Sequence, residues 1–280
     1  MERSLKYCLS TFLLLLIFSC QTKREKAESV YKRATIHYQG SKACHNGIKR
    51  AIEIDSTYPQ AVYELSVAYL KRGLPHKWKP QYDKAVKLDS VDRIPWRGYL
   101  YLWFYRDYKK AIADFDASDI LTPDFIDAPQ GHSVDYWRGI AYLGLKDYKN
   151  SIYYFDKYIA KETKDTGEDW VEMTGFLYCG IAHYENKNDS LALQSINKLL
   201  KYTNDTYADG NYYKALILER QGDNQQALEL IDLAITNYND GYYNYRPYVE
   251  TLRQIYMEDL LLLKKRLTEK KQLKQGITIE

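Results

Sequence analysis

A segment repeated inside the chain constrains its fold more than any other feature. The tripeptide Trp-Arg-Gly at 96–98 recurs at 137–139, and the hexapeptide that begins at Asp107 returns as a close variant at Asp147. The two offsets are 41 and 40 residues, which is long enough for two helices and a turn. Self-similarity at such a period is typical of proteins built from stacked supersecondary units. The chain is therefore expected to repeat one helical hairpin.

The composition favours helices over a sheet-rich fold. The 280 residues include 29 Tyr but only 7 Phe, 14 Gly and 7 Pro, so turn-forming residues are scarce and long amphipathic helices are expected. Forty Lys and Arg against 37 Asp and Glu leave a net charge of +3. That balance is too even for a polycation that neutralises phosphates, and no nucleic-acid partner is expected.

The turns between paired helices share a short pattern of Gly or Lys and Asp or Asn, which appears at 187–189 and at 222–223, with Gly73 at a further turn. Small residues, which let neighbouring helices approach closely, occupy four matching helix positions. They are Gly139 and Gly180 on first helices and Ala192 and Ala227 on second helices. These units resemble tetratricopeptide repeats, each of about 34 residues.

The resemblance covers roughly residues 27–240 and implies an all-α fold, a right-handed α-solenoid of stacked helical hairpins. Six units are expected, near 27–57, 59–91, 92–121, 132–160, 170–203 and 208–239. The unit that contains Trp96 is one residue out of phase with the others.

Two connections between units are longer than the family pattern, 122–133 and 161–169. Both insert at junctions between consecutive units, so they would project from the same edge of the solenoid. One interpretation is a binding edge, because long loops on a rigid scaffold often carry function. The other is extra turns of helix with capping residues.

Residues 241–280 are expected to form a C-terminal capping helix, beginning near Pro247, and a basic tail. The apolar residues of this helix recur at spacings of three and four and would cover the exposed end of the last repeat. They are Val249, Leu252, Tyr256, Leu260, Leu263 and Leu267. Ile255, Leu261 and Leu262 widen the apolar surface, so either neighbouring helices cover two of its sides or a second subunit does, as a homodimer.

The first residues of the chain are typical of an export signal. Arg3 and Lys6 precede an apolar run at 12–18 that is too short to span a bilayer as a helix of about 20 residues. The run ends in Ile17-Phe18-Ser19-Cys20, which resembles the bacterial lipobox. The resemblance implies a lipoprotein signal peptide at 1–19, an acylated Cys20 and a lipid tether at 20–26. The alternative is an ordinary cleaved signal in which the cysteine is coincidental.

Acyl chains on Cys20 would hold the chain at a membrane without a transmembrane helix. The residue after the cysteine is Gln21 rather than Asp. In enteric bacteria, a residue other than Asp after the acylated cysteine directs a lipoprotein to the outer membrane. The protein is therefore expected in the bacterial cell envelope, anchored to the outer membrane and facing the periplasm.

The sequence lacks the motifs of common catalytic and cofactor sites. The five His residues are scattered, and no two share the spacing with a carboxylate that a zinc site needs. Glycine-rich phosphate loops, nucleophile elbows and Cys-x-x-Cys pairs are missing as well. No enzyme activity, metal or cofactor is expected. Cys44 and Cys179 are interpreted as buried thiols, although an oxidising compartment would allow them to pair.

The resemblance also suggests a binding surface, because in this family the first helix of each unit lines a concave groove. The residues that the register places there are Tyr63, Tyr136, Leu177 and Tyr212, then Lys71, Tyr184, Glu219 and Arg220 further along, with Trp103 facing the same way. Aromatic side chains give large contact areas at low entropic cost. The groove is expected to hold an extended peptide or a helix of a partner protein. Alternatively, a chain this rich in Tyr places Tyr at every surface.

These features favour a membrane-anchored adaptor or scaffold that binds a partner protein in the cell envelope. A glycan-capturing lipoprotein of a nutrient uptake system is the alternative, although this chain lacks the inserted domain that a glycan platform would need. A hydrolase with a site at the two long junctions is a third and weaker interpretation.

Overall fold

The computed structural model describes residues 21–274, and every regular element in that range is helical. The helices are α1 (Lys23–Ala34), α2 (Lys42–Ile54), α3 (Pro59–Lys71), α4 (Pro75–Leu88), α5 (Ser90–Leu100), α6 (Tyr108–Leu121), α7 (Val134–Gly144), α8 (Tyr148–Thr166), α9 (Met173–Glu185), α10 (Asp189–Tyr202), α11 (Ala208–Gln221), α12 (Asn224–Asn239) and α13 (Met257–Lys274). They pair into hairpins, so the predicted all-α fold of helical hairpins is confirmed for the described residues. None of the described helices is long and apolar enough to cross a membrane.

The chain divides into two compact units, Met1–Arg93 and Ile94–Glu280. In the first unit, α1 packs against α2 and α3 against α4. Its core is made of small and aliphatic side chains together with one thiol, namely Ala27, Ala34, Cys44, Ile48, Ala51, Ala61 and Leu65. Thr22 and Glu25 form a capping box at the start of α1. This helix therefore begins inside the segment that the sequence assigned to the tether.

The second unit contains four hairpins, and the same turn joins the two helices of each. One residue adopts a left-handed backbone, and the next is an Asp or Asn whose side chain accepts a hydrogen bond from the third helical N–H. The left-handed residues are Arg106, Lys146, Lys187 and Gly222, and the caps are Asp107, Asp147, Asn188 and Asp223. The pattern of Gly or Lys and Asp or Asn in the sequence therefore marks the N-cap of the second helix of each hairpin in this unit.

Glycine brings the two helices of a hairpin into close contact. A Cβ added to Gly139 on α7 would lie 2.7 Å from the ring of Phe155 on α8, and one added to Gly180 on α9 would lie 2.6 Å from Ile196 on α10. Both distances are shorter than real carbon contacts allow. The small positions predicted on first helices are therefore where the second helix packs.

A π-helical turn explains why one repeat is out of phase. The segment Tyr101–Tyr105 continues α5 with the wider i to i+5 hydrogen bonding. Trp96 lies eleven residues before its hairpin cap Asp107, whereas Trp137 lies ten before Asp147. The π turn absorbs this extra residue, so the cap that follows keeps its place in the hairpin.

A buried ion cluster joins the hairpin of α5 and α6 to that of α7 and α8. Arg138 on α7 is almost completely buried and pairs with Asp135 at 2.9 Å and with Asp116 of α6 at 3.0 Å. It also pairs with Asp119 and donates to the carbonyl of Phe115. All of its charge is therefore satisfied inside the unit, as burial of a guanidinium requires.

The two long connections differ in structure. Residues 161–166 continue α8 as extra turns of helix, as the second interpretation of the sequence expected. The other connection contains a 3-10 turn at Pro129–Gly131, and Trp137 Nε1 donates to the carbonyl of Pro129 at 2.9 Å. That loop is therefore held against α7.

The C-terminal helix α13 begins at Met257, so the predicted start near Pro247 is wrong. Residues 241–256, which we name the strap, are non-helical. Tyr248 and Arg253 have left-handed backbones there, with φ of 72° and 57°, which a helix cannot contain.

The helix α13 packs on α12 and α11 through an apolar cluster. Its contribution is Leu260, Leu263 and Leu267, which are fully or almost fully buried against residues such as Ile231. Leu261 and Leu262 remain more than half exposed. The homodimer suggested by these two side chains stays a prediction.

Candidate functional site

Arg246 of the strap contacts aromatic residues of the first hairpins of the second unit. The Arg246 guanidinium carbon lies 4.6 Å from the ring centre of Trp103, 5.2 Å from that of Trp137 and 5.5 Å from that of Tyr99. Its Nη2 donates to the Tyr99 hydroxyl at 2.7 Å. Each cation–π interaction stabilises the folded protein by about 0.5–2 kcal/mol, and the value is larger where water is excluded.

A second attachment is the buried Asn244. Its backbone N–H donates to the Asp209 carboxylate at 2.8 Å, and its side-chain amide donates to the Tyr178 hydroxyl at 2.9 Å. Burial raises the pKa of Asp209 to about 7 despite the backbone hydrogen bond that favours its charged form. The strap therefore contacts both α9 and α11 through polar groups shielded from water.

Two further arginines complete the attachment. Arg253 pairs with Glu185 at the end of α9 through two parallel hydrogen bonds of 2.5 and 2.8 Å, the strongest geometry for a carboxylate. Arg106, in the turn after α5, donates to the carbonyl of Glu250. The strap is thus tied along its length to residues of the first helices and their turns.

Between the strap and these first helices lies a cavity of about 270 Å³, which we name the aromatic pocket. Its lining combines aromatic rings with polar side chains, and polar atoms make up most of its surface. The lining residues are Trp103, His132, Tyr136, Glu172, Thr174, Tyr178 and Tyr207, together with 243–246 of the strap.

The pocket holds one acidic and one basic side chain, Glu172 and Arg246. Burial lowers the pKa of His132, and Arg246 adds to this effect while Glu172 opposes it, so the imidazole is neutral at pH 7. Burial also raises the pKa of Tyr178 to about 12, which keeps this hydroxyl protonated and able to donate. The pocket therefore offers mainly hydrogen-bond donors and acceptors, next to the edges of aromatic rings.

Two predicted groove residues line the aromatic pocket. Trp103 and Tyr136 are each only 2% exposed. The Tyr136 hydroxyl shares a 2.6 Å hydrogen bond with Thr174, and the indole Nε1 of Trp103 is buried without a hydrogen-bond partner in the described part of the chain. Both side chains therefore present edges, not whole faces, to a ligand.

The other predicted groove residues lie elsewhere. Arg220 stacks on Tyr184, with its guanidinium carbon 4.0 Å from the ring centre, and pairs with Asp189. Tyr212 packs into the cluster under α13. Glu219 pairs with Arg266 and Lys270 of α13, and Leu177 is fully buried.

Tyr63 and Lys71 belong to the first unit. Arg93 lies over the Tyr63 ring at 4.5 Å, and Lys71 donates to Gln39 at 2.7 Å. A role for these residues in binding stays a prediction, as does the lipidation of Cys20, which lies outside the described residues. Cys44 and Cys179 are both free and buried.

The sequence reading missed the strap side of the pocket. Asn244 and Arg246 precede the helix start that was expected near Pro247, and no site was assigned to them. Glu172 follows the junction at 161–169, which was interpreted as either a binding edge or extra turns of helix. The available signal was local: Gly241, Asn244 and Pro247 stand close together, as in turns and loops.

Comparison with protein families gives a match between residues 180–242 and the tetratricopeptide repeat family. The fold is that of a tetratricopeptide repeat protein. No curated protein matches the chain significantly in sequence. Similar solved structures support the same fold over most of the chain.

One of these structures is PilW, described as a widely conserved type IV pilus biogenesis factor, at 13% identity and a TM-score of 0.61, with 85% of this chain and 99% of PilW covered. PilF of Pseudomonas aeruginosa has 17% identity and a TM-score of 0.58, with 78% and 95% covered. YrrB, described as having an unusual peptide-binding site, has 18% identity and a TM-score of 0.51, with 69% and 93% covered. At these identities the likeness concerns the fold alone.

Proposed function

We propose that this chain is a lipid-anchored adaptor of the bacterial cell envelope that holds a segment of a partner protein at the aromatic pocket. The observation that carries the proposal is the cavity of about 270 Å³ between the strap and the first helices. First helices are the surface that repeat proteins of this fold are expected to use, and the solved peptide-binding relative YrrB has the same fold.

The chemistry of the pocket suits one side chain with an apolar body and a polar end. The buried Tyr136 and Tyr178 contribute only the edges of their rings, and Glu172 and Arg246 supply hydrogen bonds and charge of either sign. The buried Nε1 of Trp103 has no partner among the described residues, so an acceptor on the partner would remove the cost of an unpaired donor. The rest of the partner segment would extend along the neighbouring first helices.

Photo-crosslinking in cells tests the binding site. Tyr245 lines the pocket and is 67% exposed, whereas Tyr153 on α8 is 59% exposed and lies outside it. A photoreactive phenylalanine analogue replaces each of them in the full chain. A discrete adduct with one envelope protein is expected from position 245 and not from position 153.

A variant of the pocket provides the second arm of this experiment. Glu172→Gln keeps an oxygen that can accept the N-terminal hydrogen bond of α9 from Thr174 and removes only the charge. The adduct at position 245 should weaken severalfold in this variant. Equal adducts from 245 and 153 would exclude the pocket, and labelling of an oligosaccharide instead of a protein would favour the glycan-capturing alternative.

The anchor is tested separately. Cys20→Ser in the full chain should move the protein from the detergent phase to the aqueous phase, because each buried CH₂ of an acyl chain contributes about 0.8 kcal/mol to membrane binding. Cys44→Ser, which alters a buried thiol of the first unit, should leave the distribution unchanged. A wild-type chain that stays in the aqueous phase would remove the anchor from the proposal.

A further inference from the structure

A second cavity of about 270 Å³ lies between α8, α9 and α10, apart from the aromatic pocket. Three side chains of different chemistry converge on it, the Asp156 carboxylate, the Cys179 thiol and the His183 imidazole. Cys179 and His183 are four residues apart on α9 and therefore share one face of that helix. Asp156 comes from α8.

The separations suit a tetrahedral ion. One ligand atom from each residue lies within 4.8 Å of the other two, and Cys179 Sγ is 3.9 Å from Asp156 Oδ1. Zinc bonds of about 2.3 Å to sulfur and about 2.1 Å to oxygen place those two ligand atoms about 3.6 Å apart. The observed sulfur–oxygen separation exceeds this value by only about 0.3 Å.

His183 is buried with one ring nitrogen that lacks a hydrogen-bond partner among the described residues. His183 is 8% exposed, and its Nδ1 is buried without a hydrogen-bond partner in the part of the chain that the structure describes. An unpaired buried polar atom costs about 1–3 kcal/mol. A metal ion bound to Nδ1 would remove that cost.

The equivalent position in the preceding hairpin carries a positive charge that this site does not have. Asp156 stands 40 residues after Asp116, and Cys179 stands 41 residues after Arg138, so the two pairs are equivalent in consecutive hairpins. Arg138 neutralises Asp116 at 3.0 Å. At the next junction a cysteine stands where the arginine would be, and no Lys or Arg pairs with Asp156 among the side chains described, those of residues 21–273. Lys198 also lines the cavity, but it pairs with Glu168 at 2.5 Å.

We propose that Asp156, Cys179 and His183 bind a Zn²⁺ ion, with the fourth coordination position open to the cavity. The ion replaces the positive charge that Arg138 supplies one hairpin earlier. A thiolate ligand selects zinc or another soft divalent metal over Mg²⁺ or Ca²⁺. Ser195 of α10 lines the same cavity, where its hydroxyl can support the ligand set.

Binding must displace a proton from the thiol. Burial raises the pKa of Cys179 to about 12, and metal coordination deprotonates a thiol outright. Zinc affinity should therefore fall as the pH is lowered.

Cobalt titration tests the site directly. The full chain, purified in detergent and treated with a chelator, is titrated with Co²⁺, which gives a thiolate-to-metal charge-transfer absorption when a cysteine ligates it. One equivalent of Co²⁺ should saturate the absorption, and Zn²⁺ should abolish it by displacement. Asp156→Asn changes an exposed residue and should weaken Co²⁺ affinity by about tenfold or more.

Two cysteine variants separate ligation from nonspecific binding. Cys179→Ser should abolish the absorption, whereas Cys44→Ser should retain it, with helical circular dichroism recorded for every variant. His183→Gln should also weaken binding. No absorption in the wild-type chain, or wild-type affinity in both Asp156→Asn and His183→Gln, would overturn the proposal.

Discussion

Arg138 and Asp135 form an ion pair of 2.9 Å on one turn of α7, and their side chains are only 1% and 4% exposed. The pair is buried beside Asp116 and Asp119 of the preceding hairpin. Removing the cation leaves a carboxylate inside the unit, where an unpaired charge is costly.

Arg138→Met is therefore expected to lower the free energy of unfolding by about 3 kcal/mol, the lower end of the range for a broken buried pair, because Lys157 still contacts Asp135 at 2.9 Å. Urea denaturation followed by circular dichroism measures it. Lys161→Met breaks an exposed pair with Asp165 and should leave the midpoint unchanged. Equal midpoints for Arg138→Met and wild type would contradict a structural role for the cluster.

The stability of the second unit should depend on the proton of Asp209. Its pKa is raised from the ordinary 3.8 to about 7 by burial, so the folded state binds this proton more tightly than the unfolded state does. Stability should then fall as the pH rises from about 4 to 7 and level off above that. Urea midpoints of Asp209→Asn should depend less on pH in this window than those of wild type, and identical slopes would be evidence against the raised pKa.

Removal of the Arg246 side chain should make the strap more mobile. Arg246→Met abolishes the stacking on Trp103, Trp137 and Tyr99 and should cost about 1–2 kcal/mol. Hydrogen exchange of residues 241–256 should become faster. Arg220→Met, which removes a cation–π contact of 4.0 Å with Tyr184, is the control and should leave exchange in the strap unchanged.

Close helix packing at Gly139 predicts a second-site rescue. Gly139→Ala places a methyl 2.7 Å from the Phe155 ring, and overpacking of this kind costs about 1–3 kcal/mol. Phe155→Leu should recover part of that loss in the double variant, which a double-mutant cycle in urea detects. A strictly additive pair would show that the two side chains do not clash.

The hairpins could be predicted from sequence because each depends on local signals. Asp107 and Asp147 cap their helices through side-chain hydrogen bonds that span three residues, and Gly139 marks a contact with its own hairpin partner. Even the π turn leaves a trace, since the offsets of 41 and 40 residues imply one extra residue before Asp107. Local chemistry of this kind is visible without tertiary structure.

The sites could not be predicted in the same way. Val249, Leu252 and Tyr256 have helical spacing, yet the strap is non-helical. Asn244 and Arg246 gain buried partners far away in sequence, and such contacts override a periodic pattern. The spacing of Cys179 and His183 is readable on a helix, but Asp156 joins them only after α8 packs against α9.

The strap also changes how the second unit should unfold. In most repeat arrays each unit touches only its neighbours, so the terminal units can melt independently of the centre. Here Arg246, which follows the final hairpin, donates a hydrogen bond to Tyr99 on the first helix of the unit, 147 positions earlier. Because this contact ties the segment after the last hairpin to the first helix, the helices from α5 to α12 are expected to melt more cooperatively than those of a linear array.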